Sequence, residues 1–211
     1  MNPLEIKTTI TRNVRITKLL EDMLIPSICK IHVVLEVTDL PDSDSIKSRI
    51  TAMATWIDQY LDCSVAYNVH TDMDTEILES ISNHIMMCPE EPHDYLLALL
   101  IHTKLQAFGG ENVTVISTNI ECDTNDGLGQ IVSGSANTVL PPIEEWIGSR
   151  HFHKVPWWSR TDSSMTDIRP EPNEDLSKVP ELGEDLIGET ASSTIKSDKP
   201  AARLRIITND D

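Results

Sequence analysis

Positive charge is scarce in this chain: 17 Lys and Arg stand against 34 Asp and Glu over 211 residues, a formal net charge of −17. A surface of that sign cannot neutralise a phosphate backbone, so no direct nucleic-acid binding is expected. The same charge repels anionic membranes. Nucleic-acid mimicry uses acidity, but here the acids scatter through caps, loops and tail rather than forming a phosphate-like row. Long apolar runs are lacking as well. No stretch is long enough to cross a bilayer, and MNPLEIKTTITRN has no signal-peptide core, so no membrane partner is expected. The four cysteines, Cys29, Cys63, Cys88 and Cys122, include no Cys-x-x-Cys pair. That spacing fits neither a zinc knuckle nor a compact disulfide framework, and it implies free thiols in a cytoplasmic protein, or in a virion if the source is viral. Aromatic residues make up 4% of the chain, so each tryptophan has to be accounted for.

What is present is an apolar first two-thirds with clear periodicity. Thr8–Ile16 alternates as a strand, and Lys30–Thr38 does so more strongly, with Ile31, Val33, Leu35 and Val37 on one face. Pro41-Asp42-Ser43-Asp44 supplies turn and cap chemistry for a helix to Leu61, with Ile46, Ile50, Met53, Ile57, Tyr60 and Leu61 at steps of three and four. Ser64–Val69 is a short strand. Asp72 and Asp74 open a helix carrying Ile77, Ile81 and Ile85, which Pro89 stops. Pro92 starts the next, whose stripe runs from Leu96 to Phe108, and Gly109-Gly110 ends it. Asn112–Cys122 and Gly129–Ala136 form a hairpin around Asp123-Thr124-Asn125-Asp126-Gly127, and Pro141-Pro142 opens a short helix. The expectation is an α+β domain over residues 1–147, with antiparallel strand pairs packed on two to three helices in the order ββαβααββ.

Residues 148–211 read as an extended acidic tail that cannot bury enough apolar surface to order itself. It starts with Phe152 and Pro156-Trp157-Trp158, runs through RPEPNEDLSKVPELGEDLIGET, and ends in Ala202-Arg203-Leu204-Arg205-Ile206-Ile207-Thr208. Tryptophan is enriched at binding hot spots, and a β-prone terminal peptide can add to a partner's sheet. Phe152, Trp157, Trp158, Leu204, Ile206 and Ile207 are therefore the expected partner-binding residues, with an equally weighted alternative in which one tryptophan packs back on the domain and the other lies half exposed.

Two stretches bear a family likeness. Ser27-Ile28-Cys29-Lys30-Ile31-His32-Val33-Val34-Leu35-Glu36-Val37, and Pro92-His93-Asp94-Tyr95-Leu96-Leu97 leading to Glu111-Asn112-Val113-Thr114-Val115, resemble the tunnelling fold of 6-pyruvoyltetrahydropterin synthase-like proteins over residues 8–136. The resemblance implies an oligomeric barrel and makes Cys29 the candidate nucleophile. That family holds zinc with three histidines and anchors its pterin with a glutamate. Here His32 stands alone, and the glutamate's place falls near Ser117 or Thr118. The resemblance therefore implies a scaffold without the metal.

Other motifs fall short on spacing. His151 and His153 share one side of an extended segment, with Asp162 and Asp167 as distant helpers, but they read first as loop histidines. His93 and His102 lie nine residues apart on one helix and cannot share an ion. The 123–127 loop lacks a calcium site's closing glutamate, Gly127-Leu128-Gly129 lacks a third glycine, and Ser133-Gly134-Ser135 lacks a nucleophile elbow's context. No catalytic residue, metal or cofactor is assigned. The expectation is a non-catalytic structural subunit, homo-oligomeric or part of a larger cytoplasmic or viral assembly, whose tail ties other protein chains together. The alternative is a divergent pterin-synthase-like enzyme or small-molecule binder.

Overall fold

A computed structural model describes residues 6–37, 43–72, 75–124, 129–134, 140–142, 145 and 155–167. Two fifteen-residue strands, β1 (Ile6–Leu20) and β2 (Met23–Val37), form one long hairpin. Its turn is Glu21-Asp22, with φ of 48° and 62°. Two left-handed residues give the backbone twist that a two-residue hairpin loop requires. Helix α1 (Ser43–Trp56) comes next and continues as a π turn, Ile57–Leu61. Then come β3 (Ser64–Asn68), α2 (Thr75–Ile81), β4 (Ile85–Cys88), α3 (Asp94–Gly109), β5 (Val113–Cys122) and β6 (Gly129–Val132). Trp157–Ser159 forms a final 3-10 turn.

The fold is α+β, with one six-stranded sheet in the order β4-β3-β1-β2-β5-β6. The sheet is mixed. β1–β2, β2–β5 and β5–β6 pair antiparallel, whereas β3 runs parallel to both β1 and β4. This corrects the expectation of antiparallel pairs alone, and the element order corrects the expected ββαβααββ. The difference lies in Ile85-Met86-Met87-Cys88, expected as a helix end. Its last three residues are buried, and it forms β4 beside β3 through the α2 crossover. A short, wholly apolar run carries no period that separates strand from helix.

Alternation sorts the sheet's two faces. Ile10, Val14 and Ile16 of β1 and Cys29, Ile31, Val33, Leu35 and Val37 of β2 are buried on the inner face. They join Met53, Trp56 and Ile57 from α1 and its π turn and Leu97–Ile101 and Leu105 from α3 in one core. The outer face carries Thr9, Thr11, Asn13, Arg15 and Thr17 beside Pro26, Ile28, Lys30, His32 and Val34. The β2–β5 ladder starts at Cys29, and Ile28 is still bonded to Asp123 through both its N–H and its carbonyl, so residues 23–27 have a strand on one side among the described residues. Pro26, with no N–H to give, sits in that part.

Gly129 is fixed by space, since a Cβ there would lie 2.8 Å from the carbonyl oxygens of Asp94 and Ile120. The helix that α3 forms ends at Gly110 (φ 60°). Arg49 donates to the Phe108 and Gly109 carbonyls at that end, where a cation also complements the helix dipole.

Candidate functional site

Residues 155–167 return to the domain as a strap. Trp157 and Trp158 are 0% and 2% exposed, with their rings edge-to-face at 5.7 Å. Trp157 Nε1 donates to the Met87 carbonyl at 2.9 Å, and the Met87 N–H donates to the Met165 carbonyl at 2.9 Å. The strap thereby closes the outer edge of β4, whose unpaired backbone groups would otherwise invite another strand. Trp56 Nε1 adds a bond to the Ser163 carbonyl.

The strap's polar centre is Lys104 of α3, which is 0% exposed. Its ammonium donates to the Trp157 and Arg160 carbonyls at 2.8 and 2.9 Å and lies 5.3 and 5.8 Å from the Phe108 and Trp157 ring centroids. Burial pushes its pKa down to about 8, with Asp162 at 3.6 Å pulling the other way. Asp167 is also fully buried and lies 3.4 Å from Arg160 Nη2, a charge contact without hydrogen-bond geometry. Burial raises its carboxyl to about 6, although Arg160 and Lys104 oppose that shift. A buried charge is costly unless it is well paired, and here Lys104 is better satisfied than Asp167.

Trp157 and Trp158 are both buried in the core of their own domain, where the sequence left packing on the domain and anchoring to a partner equally open. Residues 155–167 fold against the domain that was expected to span 1–147. Residues 1–171 form one compact unit. Phe152, Leu204, Ile206 and Ile207, and with them His151 and His153, lie outside the described residues. So does most of the short helix expected after Pro142.

The expectation of four free thiols is corrected for two. Cys29 and Cys122 are directly opposite on β2 and β5, with Cα atoms 4.1 Å apart, and form a disulfide. The bond removes Cys29 as a thiol nucleophile. Cys88 is buried and free, with burial raising its pKa, and Cys63 is exposed. His32 sits on the outer sheet face, where its Nδ1 meets Thr11 Oγ1 at 2.9 Å.

Two polar clusters lie on the inner side. Lys18 Nζ bonds Asp94 Oδ1 and Thr124 Oγ1, each at 2.9 Å, joining β1 to the first turn of α3 and to the β5–β6 turn. His102 Nδ1 meets Thr118 Oγ1 at 3.1 Å, and its Nε2 lies 3.3 Å from Ser133 Oγ. Ser133 gives its proton to the Val115 carbonyl, and Thr118 rather than a carboxylate stands behind the imidazole. The pair is therefore not set for nucleophilic catalysis. Burial lowers the His102 pKa and keeps the ring neutral. Among the described residues no three His, Cys, Asp or Glu side chains converge as metal ligands, and no helix is long and apolar enough to cross a membrane.

The outer face has a groove of about 460 Å³ at the hairpin end of the sheet. Thr17, Val65 and Arg15 line it beside Pro26 and Ile28 of β2 and Ile81 at the end of α2. Leu24, Pro26 and Ile28 alternate onto one side of β2, and Ile77 and Ile81 lie one helical turn apart on α2. Ile28, Ile77 and Ile81 are 59%, 49% and 46% exposed. Arg15 is committed to Asp62, bonding it at 2.9 Å and holding its carboxyl below the usual range. Neither the groove nor the strap's internal docking is legible in local sequence, because each is assembled from elements far apart in the chain.

No protein-family model matches this chain, and no curated protein does. A solved structure, an uncharacterized protein WS1659 from Wolinella succinogenes, matches 63% of this chain and 99% of its own at 13% identity, with a TM-score of 0.39. That likeness is too slight to bear on fold or function.

Proposed function

We propose that this chain is a non-catalytic assembly subunit whose folded unit is a mount and whose acidic C-terminal segment ties it to other protein chains. One observation carries the reading: the strap. Trp157, Trp158, Met165 and Asp167 are buried in the domain, so the chain immediately before the acidic segment is held by the domain's own core. A segment anchored on one side and acting on another molecule converts weak contacts into avidity through effective concentration. The strap also supplies a mechanical stop, since pull on the segment is borne by buried indoles and the Lys104 bonds. The partner is expected to be a protein, in a homo-oligomer or a larger cytoplasmic or viral assembly.

The test is truncation after Glu171, which leaves the strap whole; cutting near Arg160 would remove Met165 and Asp167 and confuse loss of tether with loss of fold. Light scattering on a dilution series should show the truncated chain at lower mass than the full chain. Equal masses at every concentration overturn the reading. A second reading, a small-molecule binder of the pterin-synthase-like kind, draws on the groove between β2 and α2. It predicts zinc or a bound heterocycle in the purified protein, read by metal analysis and by mass of the extracted small molecules.

A further inference from the structure

We infer that the groove lined by Pro26 and Ile28 of β2 and Ile81 of α2 receives the Arg203–Ile207 peptide of a second copy of this chain. The inference rests on the tether reading and names where the tether lands.

The groove offers what such a peptide lacks. Its lining includes the half-exposed apolar side chains Ile28 and Ile81 together with Thr17 and the buried Val65. Exposed apolar walls around a concave floor mark interaction sites more often than scattered surface leucines do. Its surroundings are acidic: Asp123 lines it, Glu21 and Asp22 form the hairpin tip beyond Leu24, and α2 carries exposed Glu79. Among the described residues the cation lining it is Arg15, which is held by Asp62.

The matching chemistry occurs in the sequence. In extended form Arg203-Leu204-Arg205-Ile206-Ile207 places Leu204 and Ile206 on one side and Arg203 and Arg205 on the other. The first pair fills an apolar groove while the second faces an acidic rim, the arrangement by which complementary charge fixes register and partner. Roughly 36 residues separate Asp167 from Arg203 and span up to about 120 Å when extended, enough to reach a neighbouring subunit.

The experiment compares native masses of full-length chains at equal concentration: wild type, Ile28→Asp with Ile81→Asp, Arg203→Glu with Arg205→Glu, and the Glu171 truncation, each with a circular-dichroism melt. All three altered chains should dissociate at concentrations roughly tenfold or more above wild type. The arginine variant lies outside the 1–171 unit, so it decides the matter even if the groove variant fails to fold. If truncation dissociates the assembly while either double variant assembles as wild type, the groove assignment is wrong and the tether survives. If truncation changes nothing, the tether reading itself falls.

Discussion

Two margins of the sheet are finished differently. At β4 the strap covers the edge, spends two tryptophans on the core and ties its backbone down with Lys104. At the hairpin end, Ile28 and Ile81 stay open at a groove, Leu24 and Ile77 are exposed as well, and β2 runs on with a strand on one side only among the described residues. The chain is frugal with aromatics yet commits half its tryptophans to closing the first end. Closure there is structural, and openness at the other end is available for a partner.

Removing the strap should break this contrast most severely. A chain ending at residue 154 loses Trp157, Trp158 and Met165 from the core and leaves Lys104 buried without acceptors. It should lose cooperative thermal unfolding. Trp157→Ala alone should cost about 3–5 kcal/mol in urea unfolding, the range for a large aromatic removed from a packed site. Cys29→Ser with Cys122→Ser should cost a similar ~3–5 kcal/mol, since the bond closes a loop of 93 residues. In the unreduced wild type, two thiols and not four should react in denaturant.

Asp167→Asn tests the strap's electrostatics. The folded pKa is raised from 3.8 to about 6, so the native state binds the proton more tightly than the unfolded chain. The stability this gives is fully present below the unfolded value and is lost as pH rises through about 6. Asn removes the buried charge and should raise stability by about 1–2 kcal/mol at pH 7–8, an advantage that shrinks to nothing near pH 4. A flat difference across that range contradicts the assignment of the cost to the carboxylate. The smallest effect belongs to the open end: Ile28→Asp should leave the unfolding free energy from urea titration within about 0.5 kcal/mol of wild type, because the side chain is mostly in solvent.

Much of the fold was legible because period reports burial. The inner face of β2, the stripe of α3 and the β5–β6 hairpin follow from alternation and spacing. The Glu21-Asp22 turn was not, because it lacks the glycine or asparagine that usually marks two left-handed residues. β4 was hidden by its uniform apolarity. Cys29 and Cys122 meet only once the register of β2 and β5 is known. For Trp157 and Trp158 the sequence left anchoring to a partner and packing on the domain equally open, and it did not foresee burial of both. A domain this poor in aromatics draws them from its C-terminal side, and composition cannot say which molecule an indole is buried in. The groove had no sequence signal, since a strand ridge and a helix ridge about fifty residues apart build it.

If the fold ends with the strap and the acidic segment beyond it joins copies, the two roles separate by truncation. Native mass and thermal unfolding of chains ending at residues 171 and 154, beside the full chain, test that separation most directly. The 171-residue chain should melt like the full chain but no longer assemble, and the 154-residue chain should not fold. A 171-residue chain that assembles like the full protein contradicts the tether.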